Sequence, residues 1–120
     1  MAVRAIRGAT CLISDDMEQM LSAVPELLEQ MMKRNDLVAE DFISLLFTST
    51  PDLVCGFPAA AARHAGFRKV PLMCAQEIDV AGALPKVVRV MAHVESARSL
   101  DEVEHVFLRG AQVLREDLTR

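Results

Sequence analysis

An α+β domain, one mixed β-sheet packed with one principal α-helix, is the fold class this sequence predicts, and three features predict it. A long stretch with helical spacing of apolar residues occurs once, near the N-terminus. Short runs with strand-like alternation or continuous apolar character flank it on both sides. The resulting order, strand, helix, then mostly strands, is that of a sheet whose principal helix covers a face.

The first element is "AVRAIRG", residues 2 to 8. Its alternation puts Val3, Ala5 and Arg7 on one face and Ala2, Arg4 and Ile6 on the other, so each face carries an arginine. The segment "SDDMEQMLSAVPELLEQMMKRN" then places apolar residues at 17, 20, 21, 24, 27, 28, 31 and 32, a packing stripe about four turns long. Asp15 with Glu18 three residues later reads as a capping box, and Asn35 suits the C-terminal end. Pro25 inside the stripe removes one backbone hydrogen bond and is expected to bend the helix.

The next strand, "DFISLLFTST" at 41 to 50, is nearly continuous in apolar residues, as expected where both sheet faces are covered. It ends at the turn "TPDL". A short helical segment starts at Pro58, a favoured first-turn residue, and stops at Gly66. "KVPLMC" reads as another short strand, "AQEIDVAGALP" as a loop and "VVRVMAHV" as a long strand. A last strand is expected near 104 to 109, followed by an irregular or briefly helical tail.

Composition narrows the function. At 120 residues with no Gly/Ser/Pro-rich linker, one domain spanning residues 1 to 120 is expected. Hydrophobic residues make up 52% and the mean hydropathy is +0.24, high for a chain that buries roughly two-thirds of its unfolded surface when folded alone. Part of that surface is therefore expected to meet another subunit. A net charge of -4 argues against broad nucleic-acid binding, and no apolar run reaches membrane-spanning length. A soluble, cytoplasmic protein is expected, since "MAVRAIRGAT" is no signal peptide. Cys11, Cys55 and Cys74, with no CxxC spacing, and the scattered His64, His93 and His105 predict neither a disulfide scaffold nor a metal site.

One residue breaks the apolar pattern. Period two on the long strand puts Arg89 on the face of Val87, Met91 and His93, opposite Val88, Val90, Ala92 and Val94. A guanidinium stays charged and is expensive to bury unpaired, so an anion must meet it. Glu77, Asp79 and Glu95 are candidate partners in an ordinary salt bridge, and a bound anionic ligand is the other solution. Arg7 and Arg63 pose the same choice.

The blocks "RAIRGAT", "TPDL" followed by "FPAAAAR", "VPLMCAQEIDVAGALPKVVRV" and "HVFLRGAQVLREDL" together resemble the monofunctional chorismate mutases of the AroH class, in order and over essentially the whole chain. The resemblance implies a homotrimer with a barrel-like, pseudo α/β-barrel centre and an active site at each subunit interface. It also implies the Claisen rearrangement of chorismate to prephenate, which needs no cofactor and no metal. By resemblance Arg89 stabilises the ether oxygen and holds a substrate carboxylate, Arg7 is a second substrate-binding arginine, and Glu77 accepts a hydrogen bond from the ring hydroxyl, with Cys74 nearby. The loop bearing Glu77 is expected to meet Arg7 across an interface. Phe57, Ala59, Met73 and Leu114 are assigned to the lining and Arg63 to the mouth. Ala60 stands where the family commonly has lysine, Phe107 where it has tyrosine, and Met73 where it has a polar residue. A trimeric small-molecule-binding or regulatory protein of the same fold is the alternative those departures leave open.

Overall fold

A computed structural model describes residues 1–118, and for the last three of these the backbone alone. Five strands form one sheet: β1 (Ala2–Cys11), β2 (Phe42–Ser49), β3 (Leu72–Gln76), β4 (Val87–Ser96) and β5 (Val106–Leu108). Their order across the sheet is β3-β2-β4-β1-β5. The central three run antiparallel, while β3 joins β2 and β5 joins β1 in parallel, so the sheet is mixed as expected.

Helix α1 (Met17–Arg34) connects β1 to β2, and the shorter α2 (Pro58–His64) leads from β2 toward β3. The apolar stripe of α1 is buried at Met20, Ala23, Val24, Leu27, Leu28 and Met31, and α1 continues through Pro25. Against it lie Val88, Val90, Ala92 and Val94, the four residues predicted to share a face of β4. Gly8 is needed where β1 passes under the helix: a Cβ there would come within 2.6 Å of the Met31 sulfur and 3.0 Å of Val90. The two helices and this face of the sheet enclose the main core.

Three sequence expectations shift. The helix cap is Asp16, whose carboxylate accepts from the Gln19 N–H, and not Asp15. Asp15 instead accepts from the Val54 and Cys55 N–H groups, both at 3.0 Å, and so anchors the loop after β2. The third strand begins at Leu72 and runs on to Gln76, because parallel pairing with β2 from Leu45 to Ser49 draws "AQ" into the ladder. β1 likewise extends to Cys11 through its pairing with Val87 on β4.

The apolar run of β2 is covered on one face only within the chain. Phe42, Leu45 and Phe47 are buried, but Leu46 is 40% exposed. A register shift between Phe42 and Ser44 makes Ile43 an extra residue in the strand, which bends the ladder there.

Candidate active site

The face of the sheet away from α1 carries the arginines. Strand register aligns them: Arg7 on β1 opposes Met91 on β4, and Ala9 opposes Arg89. On the other side of β4, Thr48 opposes Arg89 and Leu46 opposes Met91. Phe107 on β5 is level with Ala9. Because directly paired residues point to the same side of a pleated sheet, these side chains share one face. They surround a hollow of about 270 Å³ lined by Arg7, Leu46, Thr48, Arg89, Met91 and Phe107.

Glu77 closes one side of this cluster. Its backbone N–H donates to the Ser49 carbonyl at 2.9 Å, continuing the β2–β3 ladder one step past the strand end. One carboxylate oxygen, Oε2, lies 3.1 Å from Arg89 Nε. The same oxygen accepts a hydrogen bond from Thr48 Oγ1 at 2.7 Å. Arg89 Nε is fully buried and makes no aligned hydrogen bond, so the arginine and glutamate attract as charges without a directional bond between them. The Arg89 side chain keeps 39% of its surface exposed.

Arg7 is fixed at both ends. Its backbone N–H donates to His105 Nδ1 at 2.9 Å. Its guanidinium carbon stands 5.6 Å from the centroid of the Phe107 ring, within cation–π range. Phe107 is buried with Ala9, Val87 and Ala111 in a small second cluster, and Leu114 packs against that cluster from the C-terminal segment.

The other expected residues lie elsewhere. Phe57 is 69% exposed at the start of α2 and lines a separate hollow of about 310 Å³ with Cys74 and Gln76. Cys74 pairs with Phe47, a core residue, so it points to the helix side of the sheet and away from Arg89. Ala59 is buried in the main core, where it seats α2 and does not line a hollow. Arg63 is exposed on α2. Met73, level with Leu46, is 69% exposed on the open face. Within one chain the structure thus brings together Arg7, Arg89, Glu77 and Phe107, with Leu114 behind them, and leaves Phe57, Arg63, Met73 and Cys74 apart. Glu77 meets Arg89 within its own chain.

Thr48 and His105 complete the arrangement and were not singled out in the sequence. Alternation in β2 puts Thr48 on the face of Leu46, but only the pairing register shows that it stands between Arg89 and Glu77. Among the described residues no three His, Cys, Asp or Glu side chains lie together as metal ligands.

Arg7 and Arg89 thus share one hollow with Thr48 and mostly apolar neighbours, with the Glu77 carboxylate held beside Arg89, on a mixed α+β scaffold. The chain belongs to the chorismate mutase type I family, whose model matches residues 3–118. It is 42% identical to chorismate mutase AroH of Bacillus subtilis (strain 168) over 120 residues, covering 99% of this chain and 94% of that one. It is 44% identical over 117 residues to chorismate mutase AroH of Thermus thermophilus, covering 97% of this chain and 96% of that protein. In three dimensions it matches a chorismate mutase from Clostridium thermocellum with a TM-score of 0.89 and 43% identity, over 92% of this chain and 98% of the other.

Proposed function

We infer that this protein is a chorismate mutase, an isomerase that converts chorismate to prephenate on the route to phenylalanine and tyrosine, and that it works as a single-domain, cytoplasmic homotrimer. The observation that carries the reading is the Arg89–Glu77 pair with Arg7 beside the same hollow, in a chain of this family. Chorismate is a dicarboxylate whose ether C–O bond breaks while a C–C bond forms within the same molecule, so the reaction itself requires no nucleophile and no cofactor. Negative charge grows on the ether oxygen as that bond stretches. Arg89 beside that oxygen stabilises the transition state more than the ground state, and Arg7 holds a carboxylate. Glu77 accepts from the ring hydroxyl and thereby helps to select the compact conformer in which the reacting carbons meet.

Phe57, Arg63, Met73 and Cys74 belong in this reading to the half of the site that a neighbouring copy contributes. The open sheet face supports the assembly: Val3, Leu46 and Met73 are 57%, 40% and 69% exposed on it. The test is direct. Chorismate mixed with the purified protein loses its near-ultraviolet absorbance if the rearrangement proceeds, and a chain with no Trp and no Tyr contributes little background. Binding of chorismate without loss of absorbance would leave a binding or regulatory protein of the same fold.

A further inference from the structure

We propose that Thr48 is a positioning residue for the rearrangement, orienting Glu77 through a directional hydrogen bond that Arg89 does not supply. The role rests on the mutase reading above. Glu77 has a long side chain, and an ion pair restrains its distance from Arg89 but not its rotation. Of the two contacts to Oε2, the 3.1 Å approach of Arg89 Nε lacks hydrogen-bond alignment, whereas the 2.7 Å contact from Thr48 Oγ1 is a hydrogen bond. The donor is itself well fixed. Thr48 is β-branched, which stiffens its first torsion, and it sits on a strand flanked on both sides, opposite Arg89 on β4 and Ala75 on β3. Thr48 therefore engages Oε2 and leaves Oε1, which has no hydrogen-bond partner among the described residues, to accept from a substrate hydroxyl.

The threonine also controls the arginine. A carboxylate free to rotate would move its charge relative to Arg89, and the guanidinium would lose its fixed relation to the hollow. Turnover is then expected to suffer more than binding, because misorientation costs most where geometry is tightest.

The experiment uses the full chain with Thr48→Val, Thr48→Ser, Glu77→Gln and the Thr48→Val/Glu77→Gln double variant, each checked for folding by circular dichroism and denaturant midpoint. Valine keeps the branched shape and removes the hydroxyl; serine keeps the hydroxyl. Thr48→Val is expected to lower kcat by roughly ten- to a hundredfold, the range for losing a hydrogen bond to a charged group, with a smaller change in KM. Thr48→Ser is expected to recover most of that loss. In the Glu77→Gln background the valine substitution is expected to cost about twofold or less, since its effect acts through the carboxylate. Full activity in Thr48→Val, equal loss in the serine and valine variants, or an undiminished loss in the Glu77→Gln background would each overturn the role. A wild-type protein inert toward chorismate would instead overturn the proposed function, and this role with it.

Discussion

Arg89 stands out in the sequence because its neighbours on the strand are valines, and the structure gives it a protein carboxylate without enclosing it. Glu77 supplies the counter-charge at 3.1 Å, yet 39% of the arginine side chain stays open beside the hollow. The ion-pair and ligand readings of the sequence are thus compatible at one residue. Arg89→Lys separates charge from shape. Lysine keeps the positive charge, but one ammonium on a flexible stem cannot both face Glu77 and present a rigid fork to substrate. The variant is expected to lose about 3 to 4 kcal/mol of transition-state stabilisation, roughly two to three powers of ten in kcat, with folding unchanged by circular dichroism. Near wild-type turnover would make Arg89 a structural partner of Glu77 alone. Phe107 stands where the resemblance to the family leads to the expectation of a tyrosine, and its ring borders the hollow with Arg7 5.6 Å away. Phe107→Tyr adds a donor for a substrate carboxylate and is expected to lower KM about fivefold, the equivalent of about 1 kcal/mol, with kcat nearly unchanged. An unchanged KM in steady-state kinetics would show that the far edge of the ring does not meet the substrate.

Periodicity made most elements legible. The α1 stripe and the two faces of β4 follow from spacing alone, since 3.6-residue and two-residue repeats leave little choice of which residues face the core. What spacing misses is anything decided by pairing partners: "AQ" reads as loop until β2 offers it a parallel ladder, and Asp15 reads as the helix cap until the loop after β2 claims it and the cap falls to Asp16. The "TPDL" turn is another such junction. Thr50 Oγ1 donates to Asp52 at 2.5 Å and accepts from the Val87 N–H, while the other Asp52 oxygen accepts from the Lys86 N–H at 3.0 Å, tying the end of β2 to the start of β4. The Thr50 hydroxyl, followed by the Lys86 N–H, holds the Asp52 carboxyl below the ordinary carboxylate range. A depressed folded value means the stabilisation is present above the unfolded carboxyl pKa, near pH 4, and is lost as pH falls through the lower folded value. Unfolding midpoints followed from pH 6 down to pH 2 should therefore decline less steeply in Asp52→Asn than in wild type. Parallel curves would show that the carboxylate adds nothing to the junction.

The whole molecule poses the question of whether one chain holds the complete site. One chain gathers Arg7, Glu77 and Arg89 on an open sheet face, while Arg63 and Phe57 are presented by α2 and its N-terminal edge. If these two sets belong to one site, a neighbouring copy must bring the second set to the first, and two variants disabled in different halves should repair each other. Arg89→Lys and Arg63→Ala, each expected to be strongly impaired alone, are unfolded together in equal amounts and refolded. In a cyclic trimer every site takes Arg89 from one copy and Arg63 from the next, so random mixing leaves both intact in about a quarter of the sites. Turnover is expected to rise from near zero toward that fraction of wild type, at unchanged KM, while mixing the separately folded trimers without refolding gives no gain. A refolded mixture no more active than the average of its two parents would show that each site is built within one chain, and the open face of the sheet would then need another occupant.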